Sequence, residues 1–409
     1  MKEKVSEIRQ NVQFMNFIDG IYYVLYFLVF NYFFMTTTMF YPEKFWRFRF
    51  PLERAMNIAT FFLIGLAVLT ILFVFETWPR RILPSVLLIA GAAHAIIRGG
   101  TYNNDILVFI LLVICSKRKS FKLIAYCSLF CGTLWLLVSF ICTRFGFLTD
   151  IVYDGSSHAL GSVYRTDLMC HFLTLTMLLF IIRKGKPSIF SLIISAFLLI
   201  IDGLYIQANI GFFVYAVLLT MTILYKYTSP KLENYKVTST IYSVVMCSSF
   251  AIFAFLTIYL TYTFTRSNPN FITTTKALKT VALRLEYGKR AFEEYKVLPF
   301  GQTVYEYADR GRSASTIDPK QYFFLDISYI RILFQNGYVM LGAVIVLFTS
   351  LQIRMWKHKQ FYVMFVIALF AFTSIFEHSM IEPAYCVFSY LLFADLDFDR
   401  PLISSYIED

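Results

Sequence analysis

The residues best suited to chemistry in this sequence lie in one long polar segment of an otherwise apolar chain. The segment runs from about Thr263 to Phe323 and carries ten Lys and Arg residues against six Asp and Glu residues, so its net charge is +4. A positively charged segment beside a membrane suits a lipid-linked anionic substrate. We therefore expect the chemistry of the protein on this segment, with the apolar remainder as its scaffold.

Within the polar segment, apolar residues recur every three or four positions, which predicts an amphipathic helix from about 275 to 296. Arg284, Lys289 and Arg290 fall on or beside its apolar face. Arginine binds phosphate oxygens through a planar pair of hydrogen bonds, so such a helix can hold a phosphate just above the lipid tails. By charge pattern alone, cations that only solvate the helix or meet anionic headgroups are an equally good interpretation.

The rest of the chain has the composition of a polytopic membrane protein. Hydrophobic residues make up 58% of it and charged residues 15%, and the mean hydropathy is +0.62. These values predict an all-α membrane bundle forming a single integral membrane domain over residues 1–409. A span needs about 20 apolar residues, and ten to twelve spans are predicted, at 17–40, 57–77, 82–97, 104–116, 123–143, 167–182, 188–204, 206–225, 238–262, 324–350, 361–376 and 380–394.

Basic residues gather in every second loop, which predicts the orientation, since such loops remain on the cytoplasmic side. Both termini are then cytoplasmic, and residues 263–323 form one large extracytoplasmic loop. One loop departs from the pattern, because Lys44, Arg47, Arg49 and Arg54 fall on the predicted outer side. Either this loop is an interfacial segment with its aromatic residues in the headgroups, or the first span is misassigned.

Several other functional classes leave no sign in the sequence. The seven cysteines lie in or next to apolar spans, without the paired spacing of a disulfide framework or the Cys/His cluster of a zinc site. The formal charge of +11 follows the cytoplasmic loops, so a nucleic-acid partner is not expected. No phosphate-binding loop of the Gly-x4-Gly-Lys-Ser/Thr type occurs. We predict no metal and no cofactor.

The polar segment and the residues after it resemble the long-loop signature of Wzy-type polysaccharide polymerases, which polymerise O-antigen and capsule repeat units and are related to the O-antigen ligases. In that family an Arg opens a helix, a Phe-Gly pair follows about sixteen residues later, and an Asp precedes a Ser-Tyr and a span with a Gly. The matching positions here are Arg284, Phe300, Gly301, Asp326, Ser328, Tyr329 and Gly337. The motif covers about 55 residues, and the architecture is similar over most of the chain.

The resemblance implies glycosyl transfer at the outer face of the bacterial cytoplasmic membrane. A growing glycan on undecaprenyl pyrophosphate would be moved onto an incoming lipid-linked repeat unit, without a metal. The partners implied are undecaprenyl-pyrophosphate-linked glycans, membrane lipid, and chain-length regulator and flippase proteins. Arg284 would bind the pyrophosphate, and Asp326 would orient and deprotonate the acceptor, with His158 as a weaker catalytic candidate. The substrate-binding candidates are Arg165, Arg290, Arg98, Tyr164, Tyr329 and His378.

The sequence also departs from this family's pattern. Ser157 and His158 stand where a basic residue is common, and Ala208 and Asn209 stand where many members have Ser-Arg. If that arginine binds pyrophosphate in the relatives, Arg165 or Arg98 must replace it here.

Three alternatives remain open from the sequence. Asp326 precedes a predicted span and could simply cap its first turn. A ligase that hands finished glycan to another acceptor shares the same chemistry. A flippase for lipid-linked oligosaccharides also fits a many-span cationic protein, although two related halves with broken helices, which are common in transporters, are not evident.

Overall fold

The computed structural model describes residues 12–98, 105–153, 155–265, 276–307 and 322–398, which are mostly helical. Its α-helices are α1 Val12–Thr36, α2 Arg49–Leu69, α3 Trp78–Ile97, α4 Asp105–Cys115, α5 Phe121–Arg144, α6 Arg165–Ile182, α7 Ile189–Ile201, α8 Asn209–Asn234, α9 Lys236–Thr263, α10 Lys276–Glu294, α11 Ser328–Arg331, α12 Tyr338–Lys357 and α13 Phe361–Thr373. A two-stranded antiparallel hairpin pairs β1 Val152–Tyr153 with β2 Ser157–His158.

Eight helices of the described residues are long and apolar enough to cross a membrane. They are α1, α3, α5, α6, α9, α12 and the extended helical segments Tyr41–Val74 and Ile189–Ile206, which contain α2 and α7. Three shorter apolar helices accompany them, namely α4, the part of α8 up to Tyr225, and α13. The chain is therefore a multi-pass membrane protein with an all-helical membrane region.

Two of the predicted spans are wrong in their details. The span predicted at 324–350 begins instead at Tyr338, because Gly337 adopts a φ of +93° and interrupts the helix. The span predicted at 380–394 contains only the short 3-10 turns Ser379–Ile381 and Val387–Leu392. Pro383 lacks the N–H that a helix would need there, and this apolar run is buried in protein rather than in lipid.

The basic loop that departed from the charge pattern forms the start of the segment Tyr41–Val74. The Arg49 guanidinium lies 4.4 Å from the ring centre of Trp46 and 4.5 Å from that of Phe50. Both rings and that of Phe48 are exposed. Exposed aromatic rings stacked on an arginine fit the alternative of an interfacial segment.

The centre of the bundle is formed by the helices that are apolar on every face. In α4 every residue from Ile106 to Cys115 is buried, and α6 and α13 are buried over most of their lengths. A helix that is hydrophobic all round belongs in the interior. The other long helices pack around these three and leave large apolar side chains exposed, as a lipid-facing surface requires.

Two glycines join the segment after α10 to the start of α12 through their backbones. Gly301 and Gly337 both have positive φ angles, and a Cβ on either would overlap backbone atoms of the other segment. The carbonyls of Leu298 and Pro299 accept the first N–H groups of α12, from Tyr338 at 3.2 Å and from Val339 at 3.1 Å. This arrangement, called here the glycine lock, fixes the C-terminal end of α10 against α12.

Candidate functional site

Arg284 lies at the centre of a buried group of charged side chains. Its side chain is 7% exposed, and its Nη1 donates to the Glu377 Oε1 at 3.0 Å. The same Nη1 donates to the carbonyl oxygen of Phe376. The Arg284 Nε is 3.5 Å from the Asp326 Oδ2. One guanidinium thus holds two carboxylates that are 51 residues apart in the sequence, while its Nη2 makes no hydrogen bond within the described part of the chain.

The amphipathic pattern of α10 positions this arginine. Leu285 and Ala291 are buried on the face that packs against the bundle, and Gly288 brings the helix so close to α9 that a Cβ would contact the Thr261 side chain. Arg284 lies on the same buried face of α10. The helix occupies 276–294, where the residue spacing predicts one from 275 to 296.

Ser328 ties the segment of Asp326 to the turn that carries Glu377. Its backbone N–H donates to the carbonyls of Ser374 and Glu377, at 3.1 and 3.2 Å. Its hydroxyl donates to the Glu377 carbonyl and accepts from the Met380 N–H at 3.2 Å. Hydrogen bonds of Ser328 therefore hold the loop of Asp326 and the turn of Glu377 together, so that both carboxylates face Arg284.

Burial sets the protonation of these carboxyl groups. It raises the pKa of both Asp326 and Glu377 above their ordinary values, and the positive charge of Arg284 opposes that rise. Burial disfavours the charged form of Arg284, yet attraction by Glu377 and Asp326 leaves the pKa of the guanidinium above its ordinary value. The arginine stays charged, and the carboxylates become better proton acceptors than exposed ones.

A second ion pair lies beside the first. Arg331 Nη1 is 3.2 Å from the Glu306 Oε1, and its guanidinium lies over the Phe324 ring at 4.8 Å. The His378 Nε2 is 3.4 Å from the Glu382 Oε1. Burial raises the pKa of Glu382 from 4.5 to about 8 and lowers the pKa of His378 from 6.5 to about 3.

Asp167 extends the charged group into α6. It is 6% exposed and interacts electrostatically with Glu382, Glu377 and Asp326. The cluster formed by Asp167, Arg284, Asp326, Glu377 and Glu382 is called here the acid cluster.

An aromatic stack surrounds His171, which lies one turn after Asp167 on α6. The His171 ring is sandwiched between the rings of Phe34 and Tyr385, with centroid distances of 3.9 and 4.4 Å. The His171 Nε2 is 2.7 Å from the Thr37 hydroxyl. The stack fills the bundle at this depth with three packed rings.

A pocket opens against Arg284 between α6, α8, α10 and the end of α13. Its volume is about 520 Å³, including the open space at its mouth. Among the described residues that line it, two cations, Arg284 and Arg165, accompany one carboxylate, Glu377. The remaining lining residues are Thr166, Met169, Cys170, Leu173, Gln207, Ala208, Asn209, Ile210, Gly211, Val214, Thr280 and Thr373. The pocket, called here the arginine pocket, combines an anion-binding corner with an apolar wall.

Three other residues predicted for the site lie near the acid cluster. The His378 ring packs edge-on against Phe324 at 5.4 Å, and the Tyr164 ring lies 6.5 Å from the same phenylalanine. Tyr329 is fully buried and donates its hydroxyl to the Ala371 carbonyl at 2.9 Å. Tyr329 therefore supports the packing of α11 on α13.

The other predicted residues lie outside the arginine pocket. The His158 Nδ1 is 2.6 Å from the Asp150 Oδ2, in the segment of the β-hairpin. Arg290 pairs with Glu294 at 2.5 Å on the exposed side of α10. Arg98 is 3.5 Å from the Thr303 hydroxyl. Arg165 and Arg98 were the two candidates to replace the arginine that many Wzy-type polymerases carry where this chain has Asn209. Arg165 lines the pocket and Arg98 does not.

Sequence reasoning missed Glu377, Glu382, Asp167 and Arg331 as members of the site. Glu377 and Glu382 interrupt an apolar run of 34 residues, 361–394, near the end of the chain. An ionisable residue within such a run is a functional hypothesis by default, so this signal was present. The partners of these glutamates could not be predicted from the sequence, because Glu377 contacts Arg284, which is 93 residues away along the chain.

No three His, Cys, Asp or Glu side chains of the described ranges converge in a way that could hold a metal ion. In the described part of its lining, the arginine pocket has positive charges from Arg165 and Arg284. No protein-family model, curated protein or solved structure matches this chain.

Proposed function

We propose that this protein is a metal-independent membrane glycosyltransferase that polymerises undecaprenyl-pyrophosphate-linked repeat units at the outer face of the bacterial cytoplasmic membrane. The observation that carries the proposal is that Arg284, which lines the arginine pocket together with Glu377, contacts both Glu377 and Asp326. A cation for pyrophosphate and a carboxylate for the acceptor hydroxyl lie within one ion-pair network. The resemblance of the polar segment to Wzy-type polymerases supports the same reaction.

In the proposed step, the oxygen of an acceptor sugar hydroxyl attacks the anomeric carbon of the donor glycan. The bond between that carbon and the pyrophosphate oxygen breaks, and the lipid pyrophosphate leaves with the electron pair. The hydroxyl proton passes to a carboxylate. Atoms and charges balance without a nucleotide sugar or an oxidant.

Arg284 stabilises the charge that develops on the departing pyrophosphate. Glu377 and the Phe376 carbonyl hold its Nη1, so the guanidinium is oriented before the substrate arrives, and its Nη2 keeps two donors for phosphate oxygens. A preorganised donor in a dry site stabilises charge better than one that must reorient. Arg165, on the same pocket wall, supplies the second cation.

Asp326 acts as the general base in this proposal. Its side chain is 23% exposed, against 6% for Glu377, so it is the more accessible of the two carboxylates paired with Arg284. A base works best when its pKa approaches the working pH, and burial shifts the pKa of Asp326 in that direction. Glu377 is then the positioning partner of Arg284.

The apolar wall of the arginine pocket suits the first isoprene units of the lipid. Met169, Leu173 and Val214 line it beside Arg284. A pyrophosphate at the arginines would place its polyprenyl chain along these side chains, where burial of apolar surface favours it.

Polysaccharide chain-length analysis in a strain deleted for this gene tests the proposal. Loss of long chains, with single repeat units still present at the cell surface, is the expected result. Complementation by the unchanged gene should restore the chains, and an Asp326→Asn gene should not. If long chains persist in the deletion strain, the polymerase proposal fails. Long chains that form but stay on the lipid carrier would indicate a ligase.

Transport of lipid-linked oligosaccharide is the second candidate, and the acid cluster is the observation that favours it. Buried carboxylates and histidines within membrane bundles often carry protons in transporters. In that case the deletion strain would accumulate repeat units on the cytoplasmic side, and none would reach the surface.

A further inference from the structure

Two side chains hold the backbone immediately before Asp326. The Glu306 Oε1 accepts the Leu325 N–H at 3.0 Å, and the Arg331 Nη1 donates to the Leu325 carbonyl oxygen at 3.3 Å. The same Arg331 Nη1 donates to the Glu306 Oε1 at 3.2 Å. Leu325 is itself buried, so its side chain and both of its backbone polar groups are held. The three contacts are called here the glutamate clamp.

A short backbone bridge brings Glu306 to this position. Tyr307 and Phe323 exchange both of their backbone hydrogen bonds, at 2.8 and 3.0 Å. In such an antiparallel pair, the residue before Tyr307 lies opposite the residues that follow Phe323. The Arg290 guanidinium of α10 lies 4.9 Å from the centre of the Phe323 ring. The helix that carries Arg284 therefore also supports the bridge.

The base of the proposed reaction depends on its backbone for its direction. The Asp326 Oδ2 is 3.5 Å from the Arg284 Nε, which is longer than the hydrogen-bond range of about 2.7–3.2 Å. An ion pair at this distance attracts the carboxylate but orients it weakly. The chain on either side is held more tightly, since Glu306 binds Leu325 before Asp326 and the hydrogen bonds of Ser328 hold the segment after it.

The charge of Glu306 acts on the same carboxylate. Burial raises the pKa of Asp326, Arg284 and Arg331 lower it, and Glu306 raises it. Without the Glu306 charge, both arginines would act on Asp326 with less opposition, and a carboxylate with a lower pKa is a weaker base. The charged or titratable groups that interact with Asp326 in the described part of the chain are Arg284 of α10, Arg331 of α11, Asp167 of α6, Glu377 of the turn after α13, Glu306 and Tyr322.

Resting on the function proposed above, we propose that Glu306 is a positioning residue for Asp326. It fixes the backbone from which the carboxylate projects, and it offsets the positive charge of Arg331 beside the base. The Glu306 side chain is 8% exposed, and Glu306 is not among the described residues that line the arginine pocket. Its effect therefore falls on proton transfer to Asp326 rather than on binding of the lipid pyrophosphate.

Two substitutions separate the geometry of the glutamate clamp from its charge. Glu306→Asp keeps the charge but withdraws the carboxylate by one methylene group, so the Leu325 N–H loses its acceptor. Its kcat should fall by about tenfold to a hundredfold, with an equal fall in kcat/KM. Glu306→Gln keeps an acceptor oxygen and removes the charge. Its acid limb, the fall in rate as Asp326 becomes protonated, should move to lower pH.

Initial rates per folded protein, in proteoliposomes with lipid-linked repeat units, measure both effects. Glu76→Asp and Glu76→Gln are the matched controls, because Glu76 also pairs with an arginine, Arg80, at 3.0 Å, but with both side chains exposed. Both controls should keep the kcat and the acid limb of the unchanged protein. A purely structural role of Glu306 would lower the amount of folded protein and change neither quantity. The inference is overturned if Glu306→Asp keeps full kcat, or if the acid limb of Glu306→Gln stays in place.

The protonation of Asp326 can also be followed without turnover, which separates this inference from the proposed function. Infrared difference spectra of the full-length protein in lipid nanodiscs would show the carboxyl band of Asp326, identified by its loss in Asp326→Asn. The pH midpoint of this band should be lower in Glu306→Gln than in the unchanged protein or in Glu76→Gln. An unchanged midpoint overturns the inference even where polymer is made. A lowered midpoint in a protein that makes no polymer would remove the proposed function and leave the coupling of Glu306 to Asp326 in place.

Discussion

Arg284 and Glu377 form a buried ion pair, with the Nη1 and Oε1 atoms 3.0 Å apart and both side chains at most 7% exposed. Breaking such a pair from one side leaves an uncompensated charge in the protein interior, which costs about 3–5 kcal/mol. The pair is thus a structural element as well as a part of the proposed chemistry, and the two contributions must be separated.

Arg284→Met should lower stability strongly and abolish polysaccharide chain growth, because Glu377 and Asp326 both lose their counter-charge. Glu377→Gln should lower stability less than Arg284→Met, since an amide oxygen still accepts from the guanidinium and Asp326 remains as its counter-charge, but it should slow chain growth by loosening the orientation of Arg284. Thermal unfolding and polymer length per folded protein measure the two effects. Full activity in Glu377→Gln would show that this pairing does not position the arginine.

The variants Asp326→Asn and His158→Gln show which of these two residues is the general base. Loss of a general base lowers a rate by about 10²–10⁴, so Asp326→Asn should show a fall of that size with little change in stability. His158→Gln should leave the rate close to that of the unchanged protein, because His158 pairs with Asp150 outside the arginine pocket. Initial rates in proteoliposomes with lipid-linked repeat units provide the measurement. The reverse result would transfer the role of base to His158.

Gly301→Ala and Gly337→Ala should each destabilise the protein by about 2 kcal/mol or more, because the new Cβ meets backbone atoms that cannot move aside. Gly342→Ala is the matched control. Gly342 lies inside α12 with nothing within 4 Å of an added Cβ, so alanine there should be neutral or stabilising by up to about 1 kcal/mol. Unfolding midpoints in one detergent compare the three variants. Equal midpoints for Gly301→Ala and Gly342→Ala would argue against the glycine lock.

Stability should fall as the pH rises through about 8. The pKa of Glu382 rises from 4.5 to about 8 on folding, so its contribution is complete below 4.5 and is lost as the carboxyl ionises in the buried site. His378 has the opposite sign, since its lowered pKa removes stability as the pH falls below 6.5. Apparent melting temperatures between pH 6.5 and 9 isolate Glu382, and Glu382→Gln should flatten the slope there. An unchanged slope in that variant would assign the pH dependence to another group.

Chelation should leave the reaction rate unchanged, because the proposal gives charge neutralisation to Arg284 and Arg165 alone. Proteoliposomes assayed with and without EDTA provide the test, with added Mg²⁺ as the reversal control. A rate that EDTA abolishes and Mg²⁺ restores would require a different account of the leaving group.

The helices were largely predictable from the sequence, whereas the site was predictable only in part. Apolar runs and their polar ends locate most helices, and the residue spacing of α10 identifies both the helix and its buried face. The run at 380–394 was misread because a short apolar segment buried in protein has the same composition as one buried in lipid. Pro383 and the two glutamates were the available indications against a span.

The partners of Arg284 depend on tertiary contacts that no local pattern encodes. The role of Asp326 was predicted from the resemblance of its motif to that of Wzy-type polymerases, but Glu377 and Asp167 join the same group from the turn after α13 and from α6. Electrostatic coupling of this kind depends on distance in space, which the spacing of residues along the chain does not give.

The His171 stack has a consequence for the energised membrane around the protein. Beyond it, α6 continues from Phe172 to Ile182 without a single titratable side chain. A proton taken up by the acid cluster therefore finds no ionisable neighbour along this helix to carry it to the opposite side. In the proposed reaction the proton would therefore be returned on the side of the acid cluster, and α6 would not conduct it down the transmembrane proton gradient.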